Sequence, residues 1–240
     1  MKRLFFALAF SLGVLAASAQ RGAPQTGISA AMIQMFGDIK AFTAQADVHL
    51  MDKEQKEISA IPMTFALRDG KMRVDMDLSQ AKGSAIPPEA AAMLKQAGMD
   101  KMVSLIQPDR KVTAIMYPAA RAYAEVPVSE DEVAGEKVEF TDVAKEMVNG
   151  HPCQKVKLTS TDAKGKTQVA FVWRASDLKD FPIQMQMAQK ANTVLVKFRD
   201  PKLESPAATQ FDIPAGYTKY PNPQALLQAV MMKMLSGAVE

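Results

Sequence analysis

Residues 63–76 read Met-Thr-Phe-Ala-Leu-Arg-Asp-Gly-Lys-Met-Arg-Val-Asp-Met. Met63, Phe65 and Leu67 alternate with Thr64, Ala66 and Arg68. After a break, Met72, Val74, Met76 and Leu78 alternate with Arg73, Asp75 and Asp77. A period of two sends every second side chain to one face, so each run predicts a strand with one apolar side. Asp69-Gly70 between them suits a two-residue hairpin, because both central turn positions need positive φ. The stretch therefore predicts a β-hairpin carrying Met63, Phe65, Met72, Val74 and Met76.

The same period recurs on both sides. Phe42, Ala44, Ala46, Val48 and Leu50 alternate upstream; downstream runs are Met102–Ile106, Val112–Tyr117, Arg121–Val126 and Val138–Val148. Gln154–Thr159, Thr167–Arg174, Ile183–Ala188 and Thr193–Arg199 follow. Pro108-Asp109-Arg110, Pro118-Ala119 and Asn149-Gly150 read as turns. Helical spacing appears at Ile28, Met32, Ile33 and Phe36, with Gly37 as the stop. Pro87-Pro88-Glu89 opens a second helix that Gly98 closes. Asn222-Pro223 opens a third, with Leu226, Leu227, Val230, Met231, Met234 and Leu235 at helical spacing. Ser129-Glu130-Asp131-Glu132 has capping-box spacing and predicts a helical turn. The expected fold is mainly β (α+β), with about ten or eleven antiparallel strands in one large curved sheet and helices at its periphery.

The opening MKRLFFALAFSLGVLAASAQ has Lys2 and Arg3, an apolar run from Leu4 to Ala17, and small residues at Ala17-Ser18-Ala19. This predicts a secretory signal over residues 1–19, cut after Ala19, leaving one domain over 20–240. The run is shorter than the roughly 20 apolar residues that span a bilayer. No cysteine follows it for lipid attachment, so a soluble, periplasmic protein is expected. Removing Lys2 and Arg3 from the 29 basic residues leaves 27 against 26 acidic ones, a balance that argues against a nucleic-acid partner. No later stretch is apolar enough for a transmembrane segment.

Chemistry is scarce. The only imidazoles are His49 and His151, and no serine sits in a nucleophile elbow. Gly165-Lys166-Thr167 resembles the tail of a phosphate-binding loop, but position 160 is Ser160 rather than glycine. Zinc and calcium spacings are absent. His151-Pro152-Cys153 follows the Asn149-Gly150 turn and reads as the start of a strand. With one cysteine in the chain, Cys153 has no intramolecular partner and is expected to be a buried free thiol. No catalytic residue, metal-ligand set or cofactor is expected, and the chain is not read as an enzyme.

Methionine is in excess, with 17 in the chain. The groups Met185-Gln186-Met187 and Met231-Met232-Lys233-Met234 raise Cu(I), a soft cation that accepts thioethers. Packing explains both groups: Met185 and Met187 share a strand face with Ile183, and Met231 and Met234 share a helix face with Leu227. Copper stays a third reading. Methionine also suits surfaces that accept varied apolar partners. The expected ligand-binding residues are thus Met63, Phe65, Met72, Val74, Met76, Met185 and Met187. An open greasy cavity and an ordinary filled core both satisfy this pattern.

Several segments resemble LolA-type periplasmic lipoprotein carriers. FGDIKAFTAQADVHLMDKEQKE (36–57) is similar to their opening helix and first strand, and MTFALRDGKMRVDM (63–76) to their second and third strands. VNGHPCQKVKL (148–158), VAFVWRASDLKDFPIQMQM (169–187) and FDIPAGYTKY (211–220) resemble uncharacterised relatives in that superfamily. The resemblance implies an unclosed half-barrel with helices lying over its concave face, around a cavity for acyl chains, lipids or peptides. It brings no catalytic residue. It implies a strand arginine that helps hold the lid shut, for which Arg68, Arg73 and Arg121 stand as candidates. The leading expectation is a binder of a hydrophobic ligand, most simply an acyl chain or lipid. The alternative is a protein-interaction or envelope-sensor module on the same fold, with an envelope protein as partner.

Overall fold

The computed structural model describes residue 33 and residues 35–83, 86–127, 137–161, 165, 167–188 and 192–235. The expected signal, residues 1–19, and the capping-box turn at Ser129–Glu132 lie outside these. Of the expected opening helix, Ile33 is helical and residues 35–38 form a turn; residues 28–32 and 34 lie outside the described set.

Every strand expected from the alternation forms. They are β1 (Ala41–Met51), β2 (Glu57–Arg68), β3 (Lys71–Asp77), β5 (Lys101–Gln107), β6 (Val112–Tyr117) and β7 (Ala122–Pro127). The later ones are β8 (Lys137–Val148), β9 (His151–Thr161), β10 (Thr167–Ala175), β11 (Phe181–Ala188) and β12 (Thr193–Lys202). Two short strands were not legible: β4 (Lys82–Gly83) and β13 (Thr218–Tyr220). The described sheet therefore has 13 strands rather than ten or eleven. Two helices, α1 (Pro88–Gln96) and α2 (Pro223–Leu235), accompany it.

The quoted hairpin forms as read. Asp69 and Gly70 have φ of 50° and 76°, and Leu67, Phe65 and Met63 oppose Met72, Val74 and Met76. It sits inside the sheet, whose order is β13-β7-β6-β5-β3-β2-β1-β12-β11-β10-β9-β8, with β4 beside β2. One pairing departs from the antiparallel expectation: β13 runs parallel to β7. The chain reaches β13 through a strap, residues 203–217, rather than a hairpin, so it arrives in the other direction.

The sheet is unclosed and curved, and chain length shows why it curves. β7 and β8 lie ten strand steps apart, which in a flat sheet is about 48 Å at roughly 4.8 Å per step. Pro127 and Lys137 bound them in sequence. Ten residues of fully extended chain reach only about 33–36 Å. A flat sheet would outrun its own connection.

Alternation sorts the side chains into two faces. We call inner the face bearing Phe42, Phe65, Met72, Val74, Val172 and Phe198, which share one apolar cluster. At the β6–β7 end the inner face is covered by the helices, where Leu226 and Val230 of α2 and Leu94 of α1 pack with Ala122, Ala124 and Met99. The N-cap of α2 is as expected: Asn222 Oδ1 accepts from the Ala225 N–H at 2.8 Å. On the outer face the strap does the covering. Ile213 and Tyr217 pack with Val103, Leu105, Ala114 and Met116. Being covered on both sides, β5 and β6 carry consecutive buried residues rather than the one-sided alternation of β3. Among the described residues no helix is long and apolar enough to cross a membrane.

Candidate functional site

The inner face is graded along the strands. At the end where β2 turns into β3 it is filled: Phe36 is 2% exposed. Its ring lies 4.5 Å from Phe42, 5.7 Å from Phe181 and 5.9 Å from Phe198 between centroids. Phe42 and Phe181 meet edge to face at 5.1 Å, and Phe65 meets Phe198 at 5.2 Å. Phe36 belongs to the segment entering β1 and lies over the sheet as a plug. Its neighbours come from β1, β11 and β12, so only the β1–β12 and β11–β12 pairings assemble the aromatic pocket.

Toward the other end of the strands the face opens. Val48, Ile61, Met63, Met76, Met102, Met187 and Val194 are all partly exposed. This divides the expected ligand-binding set. Met63, Phe65, Met72, Val74 and Met76 are brought together on β2 and β3. Met185 and Met187 join the same face on β11, opposite Val196 and Val194, with β12 and β1 between them and the hairpin. Phe65, Met72, Val74 and Met185 are buried beneath protein; Met63, Met76 and Met187 stand at the open end. A filled core and an accessible apolar surface thus coexist at opposite ends of one face.

The arginines needed the structure. Arg68 and Arg73 turn to the outer face and hold the strap: Arg68 donates to the Pro206 carbonyl at 2.6 Å and Arg73 to the Gln210 carbonyl at 2.9 Å. Arg73 also pairs with Asp75 at 2.6 Å. Arg121 accepts at its carbonyl from the Thr218 N–H at 2.8 Å, tying β13 to β7. The strand arginine that reaches the plug is Arg174 on β10, which donates to the Met35 carbonyl at 3.5 Å and lies 4.3 Å over the Phe140 ring. Its Nε is buried without a hydrogen-bond partner. Burial lowers the guanidinium pKa, and the charges of Asp180 and Asp142 oppose that shift. Sequence alone gave no sign of this role, because Arg174 meets Met35 only across the folded sheet.

The remaining candidates fall in ordinary places. His49 is on the outer face with Nδ1 2.6 Å from Glu57 Oε2, and His151 Nδ1 lies 2.8 Å from Asp177 Oδ2. Cys153 is a buried free thiol whose Sγ donates to the His151 carbonyl at 3.4 Å. Burial, aided by the charges of Asp177 and Glu146, raises its pKa and keeps it protonated. Among the described residues no group of three or more His, Cys, Asp and Glu is placed to hold a metal. A groove of about 440 Å³ is lined by Gln45, Thr64, Asp75 and Arg199 and also by Met63, Met76 and Met102. Its arginines are already paired, Arg73 with Asp75 and Arg199 with Asp47 at 2.9 Å.

Residues 47–193, from within β1 to the first residue of β12, match the family model described as Domain of unknown function (DUF4412). The chain belongs to that family. No curated protein matches it. Among solved structures, this DUF4412 member is similar to a LolA superfamily protein from Nitrosomonas europaea at 9% identity and TM-score 0.39. That match covers 77% of this chain and 97% of the other. It is similar also to the lipoprotein LppX from Mycobacterium tuberculosis (9% identity, TM-score 0.37, covering 80% and 93%). LprF from Mycobacterium bovis matches at 12% identity and TM-score 0.37, covering 79% and 99%.

Proposed function

We propose that this DUF4412 protein is an exported, non-enzymatic binder of a hydrophobic ligand, an acyl chain or lipid, on the inner face of its open sheet. The observation that carries the reading is the grading of that face. Met63, Met76 and Met187 offer an adaptable apolar entrance. Phe65, Met72, Val74 and Met185 form the wall behind it, under the Phe36 plug. Burying one large apolar side chain is worth about 1.5–3 kcal/mol. A plug of a few such residues and an acyl chain therefore compete on equal terms for one surface, and ligand release follows from the plug returning. The test is native mass spectrometry of protein extracted gently from cells, with titration of a fluorescent fatty acid. Retained lipid and saturable uptake weakened by Met76→Glu support the reading. Protein free of lipid that takes up no fatty acid refutes it.

A second reading has its own observation. Strand β8 ends the sheet and, among the described residues, pairs only with β9. Phe140, Val143 and Met147 on it are 40%, 50% and 66% exposed. An exposed edge with apolar side chains is a ready template for another strand, so β8 would carry an envelope protein partner if the domain acts as a sensor. One stoichiometric partner that co-purifies without lipid, and is lost on Val143→Pro, favours this second reading.

A further inference from the structure

Met63, Met76 and Met102 stand in one row across three neighbouring strands: Met63 opposes Met76 between β2 and β3, and Met76 opposes Met102 between β3 and β5. Alternation sends all three side chains to the inner face, and all three residues are partly exposed. Opposed residues on adjacent antiparallel strands hold their Cβ atoms about 4.5–5.5 Å apart. Methionine is unbranched, and two of its three rotatable bonds, Cα–Cβ and Cβ–Cγ, position its sulfur. Three sulfurs so placed can converge on one point above Met76, the middle strand supplying the central ligand. Ala46, opposite Met63 on β1, ends the row with a short side chain.

Packing accounts less well for Met76 and Met102, which join none of the described apolar clusters, than for Met63 and Met187, which pack against the main cluster from the open end. Met72 and Met185 are buried and serve the core, whereas the row lies at the open end. The neighbouring carboxylates Asp75 and Asp77 alternate to the outer face, and Asp75 is held there by Arg73. Among the described residues no group of three or more His, Cys, Asp and Glu gathers beside the row for a hard cation, which needs oxygen ligands. Neutral thioethers select soft monovalent ions instead. We propose that Met63, Met76 and Met102 form a three-thioether site for Cu(I) or Ag(I). This set differs from the methionine pairs that sequence spacing singled out, since Met102 reaches the row only through the β3–β5 pairing. The site stands independently of the acyl-chain reading, which needs only an apolar surface.

The experiment is competition of the full chain against a chromophoric Cu(I) chelator, with ascorbate present. Saturable uptake of a single Cu(I) is expected. Each single Met→Leu change in the row should weaken it by about tenfold or more, at least the loss typical of a second-shell partner. The triple change Met63→Leu/Met76→Leu/Met102→Leu should abolish it, while Met185→Leu/Met187→Leu leaves it unchanged. No uptake, uptake indifferent to the triple change, or loss in the Met185/Met187 variant overturns the proposal. If the triple variant does not fold, X-ray absorption on the wild-type Cu(I) form decides: three sulfur neighbours support the site, and nitrogen or oxygen neighbours overturn it.

Discussion

Replacing Phe36 with alanine tests the competition between plug and ligand most directly. The ring is almost fully buried among Phe42, Phe181 and Phe198. Removing it forfeits its transfer free energy, about 1.5–3 kcal/mol, and leaves a cavity against strands β1, β11 and β12. Together these put the loss of stability at about 3–5 kcal/mol, the usual range for Phe→Ala in a core. Urea unfolding followed by Trp173, the only tryptophan, measures it. An acyl chain that takes over the vacated surface no longer has to displace the ring. The transfer term then returns as affinity, and 1.5–3 kcal/mol corresponds to roughly 10- to 150-fold tighter binding of a fluorescent fatty acid. A destabilised variant with unchanged fatty-acid affinity would refute the shared-surface argument. A stability loss below about 1 kcal/mol would refute the plug itself.

Three further changes test other parts of the structure. Cys153→Ser should fold, with a modest loss of about 1–2 kcal/mol from placing a hydroxyl in a buried site; in the wild type, native protein should resist alkylation until it is unfolded. Glu125 carries a pKa held below its ordinary value first by the hydrogen bond from Lys219 and then by Arg110, with burial opposing. A folded-state pKa depressed in this way stabilises above the ordinary carboxylate range and is lost as pH falls through the folded value. Glu125→Gln should therefore lower the urea midpoint at neutral pH and converge with wild type in acid; a gap that widens in acid contradicts this. Gly70→Ala meets no atom within 4 Å but must hold φ of 76°, so a cost of about 1–2 kcal/mol from backbone strain alone is expected in thermal unfolding.

The strands were legible because their information is local. Alternation at Phe42–Leu50 and Met63–Met76 and the Asp69-Gly70 and Asn149-Gly150 turns each follow from a few neighbouring residues. β4 and β13 were not legible, because two or three residues are too few to show a period. Their pairing partners, around Ser59 and Ala122, are distant in sequence. The apolar face that carries the candidate residues was read in part. Met63, Phe65, Met72, Val74 and Met76 share a face through one hairpin, and the period placed Met185 and Met187 correctly on one side of their strand. Which of the seven would be buried depended on Phe36 settling over one end of the face. The contact of Arg174 with the Met35 carbonyl depended on β10 lying beneath it, whereas Arg68 and Arg73, two of the three arginines weighed from the sequence, turn outward and hold the strap.

By itself, the sequence determined a one-sided β protein with a free buried thiol at Cys153 and an apolar, methionine-rich face. Those properties come from side-chain period, turn stereochemistry and composition, none of which needs a distant partner. The tertiary structure alone decided that β1 meets β12 and β3 meets β5, and these two pairings build the aromatic plug and the row of Met63, Met76 and Met102. Both join residues far apart in sequence with other elements between them, where the pairing energy is spread over whole strands and no short segment encodes it. The curvature is decided at the same level. The short connection between β7 and β8 forces the sheet to curl only once the strand order has placed them ten steps apart.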